Sequence, residues 1–153
     1  MPETLPDRLE AGTPNMPGIS GLLEGLKFLA CRGPAHILRH EQMLLRRMIE
    51  GLRQIPDICL YAAEEPERQT GVLSMELADI DCETVAAALA EREIGVRAGL
   101  HCAPLAHRAA GTEESGTVRL SFSAFNTAGE IDRFLCMFEQ IAKKLRKSKR
   151  MLI

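Results

Sequence analysis

Lysine is scarce in this sequence. Five occur in 153 residues, at positions 27, 143, 144, 147 and 149, so residues 28–142 contain no amine nucleophile. No CxxC motif occurs, and the five cysteines, at 31, 59, 82, 102 and 136, are an odd and dispersed set. That argues against a disulfide framework and for free thiols in a reducing cytoplasm. No apolar run reaches membrane-spanning length. The N-terminus is acidic and lacks an apolar core segment, so no secretory signal is expected. Aromatic residues make up only 4% and the net charge is −2, which excludes a general nucleic-acid footprint. There are no internal repeats and no low-complexity segment.

What is present is an ordinary globular composition, 46% apolar and 26% charged. It fits one domain with an extra arm. Residues 1–18 carry four of the eight prolines and read as an irregular arm or linker. Its centre, Glu10-Ala-Gly-Thr-Pro-Asn15, is either a plain loop or a segment whose backbone N–H and Thr13 hydroxyl meet an anion. Residues 19–150 read as the domain proper. Ile19 to Ala30 predicts a helix with Ile19, Leu22, Leu23, Leu26 and Leu29 on one stripe. Pro34 opens a second helix, to about Leu52, with Ile37, Leu44, Leu45, Met48, Ile49 and Leu52 inward. His36, His40 and Glu41 lack a further ligand nearby, so surface histidines rather than a metal are expected.

Ile58–Tyr61 predicts a strand, with Cys59 as a small core residue. Residues 63–70 are a polar loop. Gly71–Leu77 alternates Val72, Ser74 and Glu76 against Leu73, Met75 and Leu77, the pattern of a half-buried strand. Asp81 is the N-cap of a helix over 82–93. Val96–Ala98 and Thr117–Phe122 are two more strands, the latter with Arg119 and Ser121 sharing its polar face. Thr127-Ala-Gly-Glu130 is a capping box, followed by a stripe of Ile131, Phe134, Leu135, Phe138, Ile141, Ala142 and Leu145. The basic run from Lys143 to Arg150 has no interleaved aromatics; it reads as complementing the helix end rather than as a nucleic-acid tail. The fold class is therefore α+β: a three- to four-stranded antiparallel or mixed sheet with helices packed on one face.

Between the last two strands lies Gly95-Val-Arg-Ala-Gly-Leu-His-Cys-Ala-Pro-Leu-Ala-His107. A thiol attacks only as its thiolate and needs positive charge or a base nearby. His101 adjoins Cys102, and Arg97 and His107 are within reach of a folded-back loop. The planar fork of Arg119 suits a carboxylate held at two points. A tethered cysteine beside a carboxylate-binding arginine implies an amino-acid substrate. An inert Cys102 and a Cys–His metal site are the alternatives that the residues leave open.

Arg97-Ala-Gly-Leu-His-Cys-Ala-Pro104, then Gly116-Thr-Val-Arg-Leu-Ser-Phe122 and Phe125-Asn-Thr127, resembles the C-terminal part of cysteine desulfurases, in the class V aminotransferase group of pyridoxal-phosphate (PLP) enzymes. Leu9-Glu-Ala-Gly-Thr-Pro-Asn15 with Gly18-Ile-Ser-Gly-Leu22 resembles the segment that joins the family's large domain to its small one. The resemblance runs in order through nearly the whole chain. It implies that Cys102 takes sulfur from a PLP-bound cysteine and becomes a persulfide. By the same resemblance Arg119 binds the substrate carboxylate, Arg97 lies at the loop base near the substrate, and His101 is a polar neighbour. Thr13 helps hold the PLP phosphate of a neighbouring subunit.

None of the five lysines matches the family's Ser-x-His-Lys site. The resemblance thus implies a small C-terminal domain whose PLP-lysine domain lies outside this chain, inactive and without covalent PLP when alone. The expected partners are a large PLP domain or full-length subunit, a second copy in a homodimer, a sulfur-acceptor protein, and cysteine or selenocysteine as substrate. No membrane and no nucleic acid is expected. Two other readings stand beside it: a free-standing sulfur-carrier or partner-binding module, and a class V relative in which Cys102 is incidental.

Overall fold

The computed structural model describes residues 3–9, 12–65 and 68–151. Glu10 and Ala11 of the arm, and residues 66–67 of the polar loop, lie outside these. The chain divides into two compact units, Met1–His36 and Ile37–Ile153.

In the first unit a short 3-10 turn, Asp7–Leu9, precedes helix α1, Met16–Arg32. Asn15 caps α1 by accepting the Gly18 N–H at 3.0 Å, and Pro17 stands in its first turn, where the missing N–H is harmless. The helix thus starts earlier than the apolar stripe suggested, because the cap sets its beginning. Ile19, Leu22, Leu23, Leu26 and Leu29 do share a stripe, but no residue of α1 is buried.

The second unit is built on a four-stranded antiparallel sheet in the order β1-β2-β4-β3. The strands are β1 Ile58–Tyr61, β2 Val72–Leu77, β3 Arg97–Gly99 and β4 Thr117–Ser121. Side chains alternate across a strand, so each carries a core face and an outer face. Leu73, Met75 and Leu77 of β2 and Val118 and Leu120 of β4 are buried in the core. Against them pack α2 (Pro34–Leu52), α3 (Cys82–Ala90) and α5 (Ala128–Arg150). Helix α2 contributes Leu44, Leu45, Met48 and Leu52, and α5 contributes Ile131, Phe134, Phe138, Ile141 and Ala142. Asp81 caps α3 through the Thr84 N–H at 3.0 Å.

Three expectations change. Cys59 is exposed, because four apolar residues in β1 do not reveal which of them face the core. The basic end of α5 does more than meet its own helix terminus. Lys149 donates to the Asp79 carbonyl, and Arg146 to that of Pro56. His40, expected on the surface, is half-buried with its ring 2.9 Å from the Asn126 carbonyl.

The capping box at α5 is complete. The Thr127 hydroxyl accepts the Glu130 N–H at 3.3 Å, and the Glu130 carboxylate accepts the Thr127 N–H at 2.7 Å. The Thr127 backbone N–H, followed by its hydroxyl, draws the Glu130 pKa below its ordinary value. A depressed carboxylate stabilises the fold above its unfolded pKa, and that support fades as pH falls through the folded one. Thr127→Ala is expected to lower stability by about 1 kcal/mol, read as a shift of the urea midpoint.

Candidate functional site

The outer face of the sheet collects the polar residues. Ser74 and Glu76 alternate with the core residues of β2, and Thr117, Arg119 and Ser121 with those of β4. Arg97 on the edge strand β3 pairs directly with Arg119, whose other neighbour is Ser74 on β2. Like charges placed opposite one another on a sheet are destabilising. Arg97 is exposed and Arg119 half-buried, and among the described residues neither has a carboxylate at ion-pair distance. The Arg119 Nε is buried and makes no hydrogen bond. Buried donors are almost always paired, so this one points to a missing acceptor.

Immediately after β3 the chain reverses. The Ala103 N–H bonds back to the Leu100 carbonyl at 2.9 Å, closing a turn whose two central residues are His101 (φ 53°) and Cys102 (φ 58°). Left-handed backbone strains a non-glycine residue by about 1–3 kcal/mol, and surrounding contacts must hold it. Glycines flank the turn. A Cβ at Gly116, the residue before β4, would sit 2.9 Å from the Gly99 backbone, so only glycine allows this approach. Cys102 itself is exposed.

His101 is what holds the turn. Its Nε2 lies 3.2 Å from the Arg97 carbonyl. A carbonyl only accepts, so Nε2 carries the hydrogen and Nδ1 the lone pair. That Nδ1 is buried without a partner. The ring stacks on His107, centroids 5.8 Å apart and planes within 8°. His107 is buried, with Nδ1 2.7 Å from the Thr112 hydroxyl. Burial first, then Arg119, His107 and Arg97, pull the His101 pKa down, which keeps its imidazole neutral.

His107 belongs to a short helix, α4 (Pro104–Ala110), within a segment read from sequence as loop. The signals were there: Pro104 in the first turn and Gly111 at φ 71° after the last. His107, Thr112 and Thr117, together with Tyr61 and Ser74, line a cavity of about 120 Å³ on the outer face. The buried Thr117 hydroxyl makes no hydrogen bond. Nearby, Glu76 accepts from Ser115 at 2.6 Å and from Tyr61, whose pKa is raised by burial and then by this carboxylate.

Thr13 is exposed in the first unit. Cys82 is buried, and burial pushes its thiol pKa up, away from reactivity. Lys27 pairs with Glu24 and Lys143 with Glu139, and Lys149 reaches Asp79. Among the described residues no lysine lies on the sheet strands, and no group of three His, Cys, Asp or Glu is arranged to hold a metal. No described helix is long and apolar enough to cross a membrane.

The family described as Aminotransferase class-V matches residues 2–134. A probable cysteine desulfurase of Pyrococcus abyssi is 38% identical over 144 residues, 94% of this chain and 35% of that protein. A cysteine desulfurase of Klebsiella pneumoniae is 37% identical over 141 residues, 92% of this chain and 33% of that one. Among solved structures, the apo cysteine desulfurase from Thermococcus onnurineus superimposes with a TM-score of 0.82 at 35% identity, covering 91% of this chain and 34% of that chain. A cysteine desulfurase from Escherichia coli gives 0.79 at 28% identity, covering 92% and 33%. The chain spans about a third of the length of the curated relatives it matches.

Proposed function

This chain belongs to the aminotransferase class-V family, and from that membership we propose that it is the thiol-bearing lobe of a PLP-dependent cysteine desulfurase. In this reading the lobe comprises residues 19–150, with residues 1–18 as the arm toward the large domain. Cys102 accepts the sulfur. Arg119 and Arg97 receive the substrate carboxylate. The observation that carries this is the cross-strand arginine pair beside the cysteine turn, with no carboxylate at ion-pair distance from either guanidinium among the described residues. A carboxylate between two guanidinium forks turns a repulsion into charge-assisted hydrogen bonds.

The lysines do not fit covalent attachment of PLP within this chain, since among the described residues none lies on the strands that carry Arg97 and Arg119, and Lys27, Lys143 and Lys149 pair with Glu24, Glu139 and Asp79. The amine must come from a large domain or full-length subunit, and Thr13 adds a hydroxyl toward the cofactor phosphate across a dimer. When bound, PLP supplies the electron sink. The task of this chain is to hold the amino acid by its carboxylate and offer a thiolate. The new bond joins Cys102 Sγ to the substrate sulfur, and the bond between that sulfur and its carbon breaks. The electron pair goes to the carbon side, which takes up a proton and leaves as alanine. No external oxidant is needed, because the enzyme thiol and cysteine become a persulfide and alanine. A sulfur-acceptor protein then takes the sulfur. We place the protein in the cytoplasm, where its five free thiols stay reduced.

The test joins this chain to the two-thirds of the Pyrococcus abyssi relative that it does not cover, and measures alanine formed from L-cysteine. Activity is expected only with both parts. Arg119→Ala is expected to lower kcat/KM by about 10–100-fold, the worth of hydrogen bonds to a charged group. An unchanged kcat/KM removes Arg119 from substrate binding.

A further inference from the structure

Of the buried polar atoms that lack partners on the outer face, two are complementary. Arg119 Nε–H is a donor without an acceptor, and His101 Nδ1 is an acceptor without a donor. They belong to neighbouring elements: β4, and the turn that follows its partner strand β3. Arg119 is also the first charge acting on the His101 ring after burial itself. Yet in the structure the two atoms are not bonded. The His101 ring is meanwhile fixed on its other sides, by the Arg97 carbonyl and by the His107 stack. It is also one of the two strained residues at the tip of the turn, the other being Cys102.

We propose that His101 is a positioning residue that couples carboxylate capture at Arg119 to the conformation of the Cys102 turn. A carboxylate takes the terminal nitrogens of the Arg119 fork. The Nε–H then swings onto the His101 lone pair, and the imidazole, now held by Arg97, His107 and Arg119, locks the left-handed pair at 101 and 102. The turn tightens only when an amino acid is in place, so the thiol is presented when there is sulfur to take. The same ring has a neutral Nδ1 for this purpose because a carbonyl claims its other nitrogen. This inference rests on the carboxylate role given to Arg119 above, and deepens it.

The test uses this chain and two probes, L-alanine and its amide, which lacks the carboxylate. Nitrogen-15 NMR follows Arg119 Nε–H and the His101 ring. Hydrogen exchange follows the Ala103 amide, which closes the turn, with the Ala78 amide, bonded to the Asp57 carbonyl, as control. L-Alanine is expected to move both side-chain signals with one binding curve and to slow Ala103 exchange at least fivefold, leaving Ala78 unchanged. Alaninamide is expected to do neither. In His101→Phe, which keeps an aromatic ring on His107 but has no lone pair, Arg119 should still respond to L-alanine while Ala103 does not slow. If Arg119 responds and neither His101 nor Ala103 does, the coupling is overturned and the carboxylate site stands. Slowing of Ala103 that survives in His101→Phe also overturns it. If Arg119 itself gives no response, the carboxylate reading fails and the coupling with it.

Discussion

Cys102→Ala in the two-part enzyme is expected to abolish sulfur transfer from L-cysteine, with turnover down at least about 100-fold, as for loss of a covalent nucleophile. KM for cysteine should change little, because Cys102 does not hold the carboxylate. The effect is specific to position. Of the described cysteines only Cys82 is buried, and Cys31, Cys59, Cys102 and Cys136 are all exposed. Exposure therefore does not single out Cys102. What does is its place at the tip of a strained turn, one residue from an imidazole and beside an arginine pair. Cys59→Ala and Cys136→Ala should leave turnover unchanged. Mass spectrometry after a single turnover should find one added sulfur on Cys102 and none elsewhere. Normal turnover in Cys102→Ala would return the chain to the reading in which this cysteine is incidental.

Phe138→Ala is expected to lower stability by about 3–5 kcal/mol, the usual range for deleting a large buried aromatic side chain. Phe138 is fully buried on α5 and stacks on Phe134 at 5.4 Å. It lies in the core that α2, α3 and the sheet share. Its removal leaves a cavity bounded by several elements, which cannot collapse without moving a helix or a strand. A urea titration should show a lower midpoint with an unchanged slope. A shift no larger than that of Thr127→Ala would mean that the core around α5 is loosely packed.

These two residues differ in how legible they were. Phe138 sits on a 3.6-residue stripe behind a capping box, and period plus cap define α5 from sequence. The alternation in β2 likewise identified which residues face the core. Cys102 and Arg119 were visible as residue types, and the family resemblance supplied the roles proposed for them. The register that sets Arg97 against Arg119 was not visible, because strand pairing across the 17 residues between β3 and β4 leaves no local mark. His107 was named as within reach of the loop, but the helix that carries it was not read. His107 needed α4 to bring it beneath His101, and a seven-residue helix among glycines and a proline reads as loop. The wrong face for Cys59 has a simpler cause: Ile-Cys-Leu-Tyr has no polar position to break the symmetry. The stripe on α1 correctly announced a helix, and periodicity says nothing of what covers it.

The edge position of β3 sets how this lobe unfolds. The strand has three residues and one neighbour, and its first residue faces a like charge across the ladder. Sub-global opening starts where few contacts are lost. The β3 amides should therefore exchange with solvent well before those of β2 or α5, through a partial opening that leaves the core intact. Cys102, in the turn that follows β3, thus hangs from a weakly held edge of an otherwise tightly packed unit. In the proposed reading a persulfide on Cys102 has to reach an acceptor, and peeling back this short, electrostatically strained edge gives it that reach without melting the rest of the domain.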